Sequence, residues 1–137
     1  MDLDPEMKAA LAAARDRGRI SAAEILDGDD MLSIGAFAEK LGQTQEMVAA
    51  MRQSGKVLGL NGDGRDVRFP AWQLSVEGFP YPELSLLHQC LGGHWAVYRF
   101  LVQHHGALNG LTGRQALERG KGKNALDAAE SVARDFD

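Results

Sequence analysis

Gln43, Thr44, Gln45, Glu46, Ala49, Ala50 and Gln53 sit on the outward positions of one predicted helix. An amide can pair with the edge of adenine, and a carboxylate can accept from the cytosine amine. Arg52, Lys56, Arg65 and Arg68 follow at spacings suited to holding phosphates. This is the chemistry of contact with a duplex, not of bond breaking. It needs a rigid scaffold, and the surrounding sequence supplies one. Ser33 caps a first helix in which Ile34, Phe37, Ala38 and Leu41 form one apolar stripe at i, i+3, i+4 and i+7. Ala38 is small enough for a second helix to cross closely. Gly42 suits a positive φ in the turn. Thr44 caps the second helix, Val48 and Met51 face inward, and Gly55 ends it. Two short strands, Val57 to Leu60 and Val67 to Phe69, are predicted around an Asn61-Gly62 hairpin signal, with Pro70 closing them. The pattern is a helix-turn-helix with a wing, whose second helix fits a DNA major groove. A helical hairpin used only for packing is the competing reading, and the wing weighs against it.

Other chemistry finds little support. His88, His94, His104 and His105 match no zinc-site spacing and are expected at the surface or at helix ends. Gly59 to Gly64 is glycine-rich but lacks the strand-loop-helix setting of a phosphate loop, so it is a wing tip. Cys90 lies on an apolar face beside Leu87 and Leu91, as a structural thiol would. Trp72, Trp95 and Tyr98 suit core or interface anchors. No nucleophile elbow, zinc-protease motif or catalytic carboxylate pair occurs. The expectation is a protein that is not an enzyme and needs no cofactor and no metal.

The 137 residues are 45% apolar and 25% charged, an ordinary globular balance. No stretch of about 18 apolar residues predicts a membrane span. The acidic start lacks the features of a signal peptide. With Cys90 as the single cysteine, a reducing cytoplasm is expected. The net charge is −4. Residues 31–70 carry five basic and four acidic groups, which makes this the least acidic segment of the chain. That is a thin basic footprint for DNA, so dimerisation or a partner is expected to add affinity.

Three segments are expected. Residues 1–30 form an N-terminal helical arm, with a helix from Asp4-Pro5 to Arg17 and a Ser21-to-Glu24 capping box. Residues 31–74 form the winged helix-turn-helix. Residues 75–137 form a helical bundle after an irregular stretch rich in Gly78, Pro80 and Pro82. Its helices are predicted from Pro82, from Trp95 to His105, from Thr112 to about Gly120 through a second capping box, and from an Asn124 cap. The fold class is mainly α. Gly106 to Lys123 ends in a basic, glycine-rich turn suited to an acidic or phosphate-bearing surface.

Three stretches resemble bacterial antitoxins of the Xre/MbcA/ParS class, whose toxins carry the RES domain. They are Phe69 to Leu74, Trp95 to Leu101, and Leu108-Asn-Gly-Leu-Thr-Gly-Arg-Gln-Ala-Leu-Glu-Arg-Gly120. The last is similar to the family's Leu-x-Gly-x-Thr-Pro-x-x-x-Leu-x-x-Gly signature. Gly110, Thr112, Leu117 and Gly120 fit it. Gly113 stands where the family usually has proline, and Arg114 where an apolar residue is frequent. The resemblance implies two jobs, binding the operon's own promoter and blocking a toxin that consumes NAD. The helical half would then hold the toxin through Trp95, Tyr98, Arg99, Leu111, Thr112, Arg114, Lys121, Lys123, Arg134 and Phe136, with the last helix over the toxin's NAD site. A chain cut after Gly120 would keep a folded DNA-binding half. The partners expected are a RES-type toxin, double-stranded operator DNA and a second copy of the chain, with no membrane. The alternative is a stand-alone transcription regulator whose C-terminal half dimerises.

Overall fold

The computed structural model describes residues 5–9, 22–62 and 64–135. Residues 5–9 and 22–26 are helical. The rest of the expected N-terminal helix, the Ser21 cap and Phe136 lie outside the described residues.

Strand β1 (Met31–Leu32) leads into helix α1 (Ile34–Leu41). Ser33 caps α1 by accepting from the Ala36 N–H at 3.2 Å. Gly42 ends it at φ 70°, a conformation that costs glycine little. The chain then turns sharply, and the Gln43 N–H donates back to the Ala38 carbonyl at 3.0 Å. Helix α2 (Gln45–Gln53) follows, capped by Thr44, which accepts from the Met47 N–H at 3.1 Å. Val48 is fully buried between the helices with Phe37, Ala38, Val57 and Phe69. The Phe37 and Phe69 rings stack with centroids 4.9 Å apart, tying α1 to the wing.

The wing is slimmer than the predicted hairpin. Leu60 and Arg68 form a single antiparallel bridge, exchanging two backbone bonds of 2.8 Å. The paired strand is β2 (Phe69–Pro70), and it pairs with β1, Met31 opposite Pro70 and Leu32 opposite Phe69. Pairing there uses a strand from before the helices, which no local hairpin pattern specifies. Residues 61–62 and 64–67 belong to no strand, so Asn61-Gly62 is not the two-residue turn of a hairpin.

A short 3-10 turn (Ala71–Gln73) leads to the bundle: α3 (Glu83–Leu91), α4 (His94–Val102), a second 3-10 turn (Gly106–Leu108), α5 (Gly113–Glu118) and α6 (Gly122–Asp135). Helix α4 stops before His105, because His104 bridges Thr112 and pulls the chain extended. Thr112 and Gln115 form the expected capping box of α5. Helix α6 begins at Gly122, so Asn124 lies inside it instead of capping it.

The wing and the bundle share one core. Alternation along Val57-Leu58-Gly59-Leu60 puts Val57 in the helix-turn-helix cluster and Leu58 and Leu60 in the larger one. There they meet Leu84, Leu87, Val97 and Leu101, together with Ala125, Ala128 and Ala129 of α6. Each fully buried leucine adds roughly 1.5–3 kcal/mol of transfer free energy. A cut after Gly120 therefore removes wall from a core that the wing also uses, contrary to the independence expected from sequence. No helix among the described residues is long and apolar enough to cross a membrane.

Candidate nucleic-acid interface

Helix α2 is held from one side only. Val48 is buried and Met51 and Arg52 are half-buried, while Gln45, Glu46, Met47, Ala49, Ala50 and Gln53 are exposed. Gln43 and Thr44, in the preceding turn, are exposed as well. At 100° per residue, Glu46, Ala49, Ala50 and Gln53 make one stripe opposite Val48. The cap at Thr44 fixes where that stripe begins. Met47, 48% exposed, extends its apolar edge.

The predicted phosphate contacts divide. Lys56 is exposed beyond the turn at Gly55. Arg68 is half-buried at the wing bridge, beside Ser33, Ile34 and Asp66 in a shallow cleft. Arg65 pairs with Asp27, so part of its charge is met within the chain. Arg52 turns back on the wing, its Nε donating to the Gly59 carbonyl at 3.0 Å. Burial lowers its pKa from the usual arginine value.

Behind α2 lies a histidine pair. His88 Nδ1 is 2.7 Å from the Leu84 carbonyl, which can only accept, so Nδ1 carries the proton. His88 Nε2 is 3.1 Å from His94 Nδ1, and in the neutral pair His94 donates to it. Burial first, then the charge of Arg52 and the neighbouring His88, push His94 down to about 4. Both rings are half-buried and sit at helix ends, His88 in the last turn of α3 and His94 at the first residue of α4; His104 is exposed and His105 half-buried. Among the described residues no group of three or more His, Cys, Asp or Glu could hold a metal ion. The Cys90 thiol is half-buried and pushed up, chiefly by burial.

The residues assigned to a toxin also divide. Trp95 Nε1 donates to the Asn61 carbonyl at 2.9 Å, joining α4 to the wing loop. Tyr98 lies between Trp95 and Trp72, at ring distances of 5.6 and 6.2 Å. Trp72 Nε1 donates to Asp30 at 3.0 Å. The Arg114 guanidinium sits 4.6 Å over the Trp72 ring and meets Glu118 at 3.4 Å. Thr112 is buried in its capping box, and Leu111 is half-buried. Arg99, Lys121, Lys123 and Arg134 remain exposed.

The signature-like segment is explained by local structure. Gly110 and Gly120 have φ of 85° and 73°, Thr112 caps α5, and Leu117 is buried. At Gly113 any β-carbon would lie 2.8 Å from the Phe100 carbonyl oxygen, which accounts for glycine where the resembled family has proline.

Sequence reasoning missed Gln73. Its side chain is fully buried and binds the backbone of Leu58 and Pro70. A polar residue between Trp72 and Leu74 was the available signal.

These elements define the class: a winged helix-turn-helix backed by a helical bundle. No protein-family model and no curated protein matches the sequence. Among solved structures, the NMR structure of Rv2175c is similar, with a TM-score of 0.68 at 18% identity, covering 80% of this chain and 85% of that chain. That likeness is one of fold.

Proposed function

We propose that this chain is a DNA-binding regulator that lays α2 in the major groove and acts by binding, without catalysis. One observation carries the reading. The stripe Glu46, Ala49, Ala50 and Gln53 is left bare on a helix whose opposite side is packed by Val48. The likeness to Rv2175c supports the fold that this reading needs. Lys56 and Arg68 flank the stripe as phosphate contacts. Two such cations give weak monomer binding, so the working form is a homodimer on a two-fold site. The test is fluorescence anisotropy on duplex from the chain's own upstream region against random duplex, over a salt series. Arg68→Ala should weaken all sequences alike and lower the salt slope by roughly one. Equal affinity for upstream and random duplex would overturn the regulator reading.

The finer reading is an antitoxin that also neutralises a RES-type toxin in the same cytoplasm and represses its own operon. It rests on the family resemblance. The exposed cations Arg99, Lys121, Lys123 and Arg134 of the helical half are the groups that would meet an acidic partner. Co-expression with a RES-type toxin tests it. Growth should be restored by the parent and lost when these four are replaced together by alanine. Toxicity unchanged by the parent would refute it.

A further inference from the structure

We propose, resting on the DNA-binding reading above, that α2 recognises exocyclic amines and thymine methyls and makes no contact with the guanine edge. Its target would be B-form duplex read through cytosine, adenine and thymine. The fate of Arg52 is the key observation. Guanine presents two acceptors, N7 and O6, in the major groove, and the usual reader is an arginine or lysine donor. Arg52 is the one cation within the α2 sequence, and its Nε is bound to the Gly59 carbonyl at 3.0 Å. It is withdrawn from the outward stripe. Lys40 and Lys56 are exposed but lie outside α2, one near the end of α1 and the other beyond Gly55.

What remains on the stripe has a defined chemistry. Glu46, when ionised, only accepts, so it can meet the N4 amine of cytosine or the N6 amine of adenine and is repelled by guanine acceptors. Gln53 offers an acceptor and a donor side by side, matching adenine N6 and N7. Ala49 and Ala50 are exposed methyl groups on the same face, sized for the thymine 5-methyl. Met47, exposed one position before the buried Val48, continues that apolar edge.

The experiment starts from a duplex selected by the full chain out of a randomised library. Its affinity is then measured with every dT replaced by deoxyuridine, and separately with every dG replaced by 7-deazadeoxyguanosine. Deoxyuridine lacks the methyl and should weaken binding by about fourfold for each contacted thymine. The 7-deaza base lacks N7 and should leave affinity unchanged. Glu46→Gln, at an exposed position that does not threaten folding, should shift the preferred base at its contact from cytosine to adenine. Affinity lost on 7-deazadeoxyguanosine, or unmoved by deoxyuridine, would overturn this inference and leave DNA binding standing. A chain that enriches no sequence at all would overturn the DNA-binding reading and this inference with it.

Discussion

Replacing Gln73 by leucine should unlatch the wing. Gln73 is 1% exposed, and its amide does three jobs at once. The Leu58 N–H donates to Oε1 at 2.7 Å, and Nε2 donates to the Leu58 carbonyl at 2.8 Å and to the Pro70 carbonyl at 3.1 Å. Leu58 itself is fully buried, so water cannot replace these bonds. A leucine of similar bulk keeps the packing and strips both Leu58 backbone groups of this partner. Leaving a buried group unsatisfied costs about 1–3 kcal/mol. For the two Leu58 groups the loss is about 2–6 kcal/mol, against a typical total of about 5–15 kcal/mol. Urea unfolding followed by circular dichroism reads this as a midpoint lower by about 1–3 M. Gln53→Leu, on the exposed face of α2, is the control and should stay within about 0.5 kcal/mol of the parent. If Gln73→Leu unfolds with the same midpoint as Gln53→Leu, the buried amide does not hold the wing and the reasoning fails.

Three further outcomes are expected. Val48→Asp puts a carboxylate into the fully buried wedge between α1 and α2 and should cost several kcal/mol, seen as a large drop in Tm. His94 sits near 4 in the folded chain instead of 6.5, so the unfolded chain takes up a proton first as pH falls. Stability is then full above pH 6.5 and declines toward pH 4, by about 1–2 kcal/mol after allowing for partial exposure; His94→Gln should flatten that slope in urea midpoints. A chain cut after Gly120 loses Ala125, Ala128 and Ala129 from the shared core, and hydrogen exchange should show reduced protection at Leu58 and Leu60 as well as in α3.

The elements most legible in the sequence were those set by local rules. Ser33, Thr44 and Thr112 cap because a short hydroxyl reaches an N–H two or three residues on, and Gly42 turns because it lacks a β-carbon. Periodicity placed Val48, Phe37 and Ala38 on the inward faces. Non-local pairing was not legible. The strand partner of Phe69–Pro70 is Met31–Leu32, separated from it by the whole helix-turn-helix, and no pattern within either strand specifies the other. The start of α6 was misplaced because Asn124 has cap chemistry, while Lys121 already offers its carbonyl to the Ala125 N–H. For the interface, sequence identified the exposed stripe of α2 but not what the cations do. Arginine reads as free charge until a structure supplies an acceptor. Here Gly59 takes Arg52, Asp27 takes Arg65, and Trp72 takes Arg114.

The internal use of those aromatic and cationic groups sets a constraint on any partner of the helical half. Trp95 grips the wing loop through Asn61, and Arg114 covers Trp72, which in turn binds Asp30 next to β1. A partner that seizes Trp95 or Arg114 must first break contacts that position the wing. Loss of the Trp95 bond alone is worth about 1 kcal/mol, or about fivefold in any equilibrium that depends on wing position. By linkage, DNA held by the wing would weaken that partner by the same factor. A partner that docks on Arg99, Lys121, Lys123 and Arg134 breaks none of these contacts and leaves the wing where it was. The two modes therefore differ in a measurable quantity. Competition between DNA and partner locates the grip on the aromatic clasp, and independent binding locates it on the outer cations.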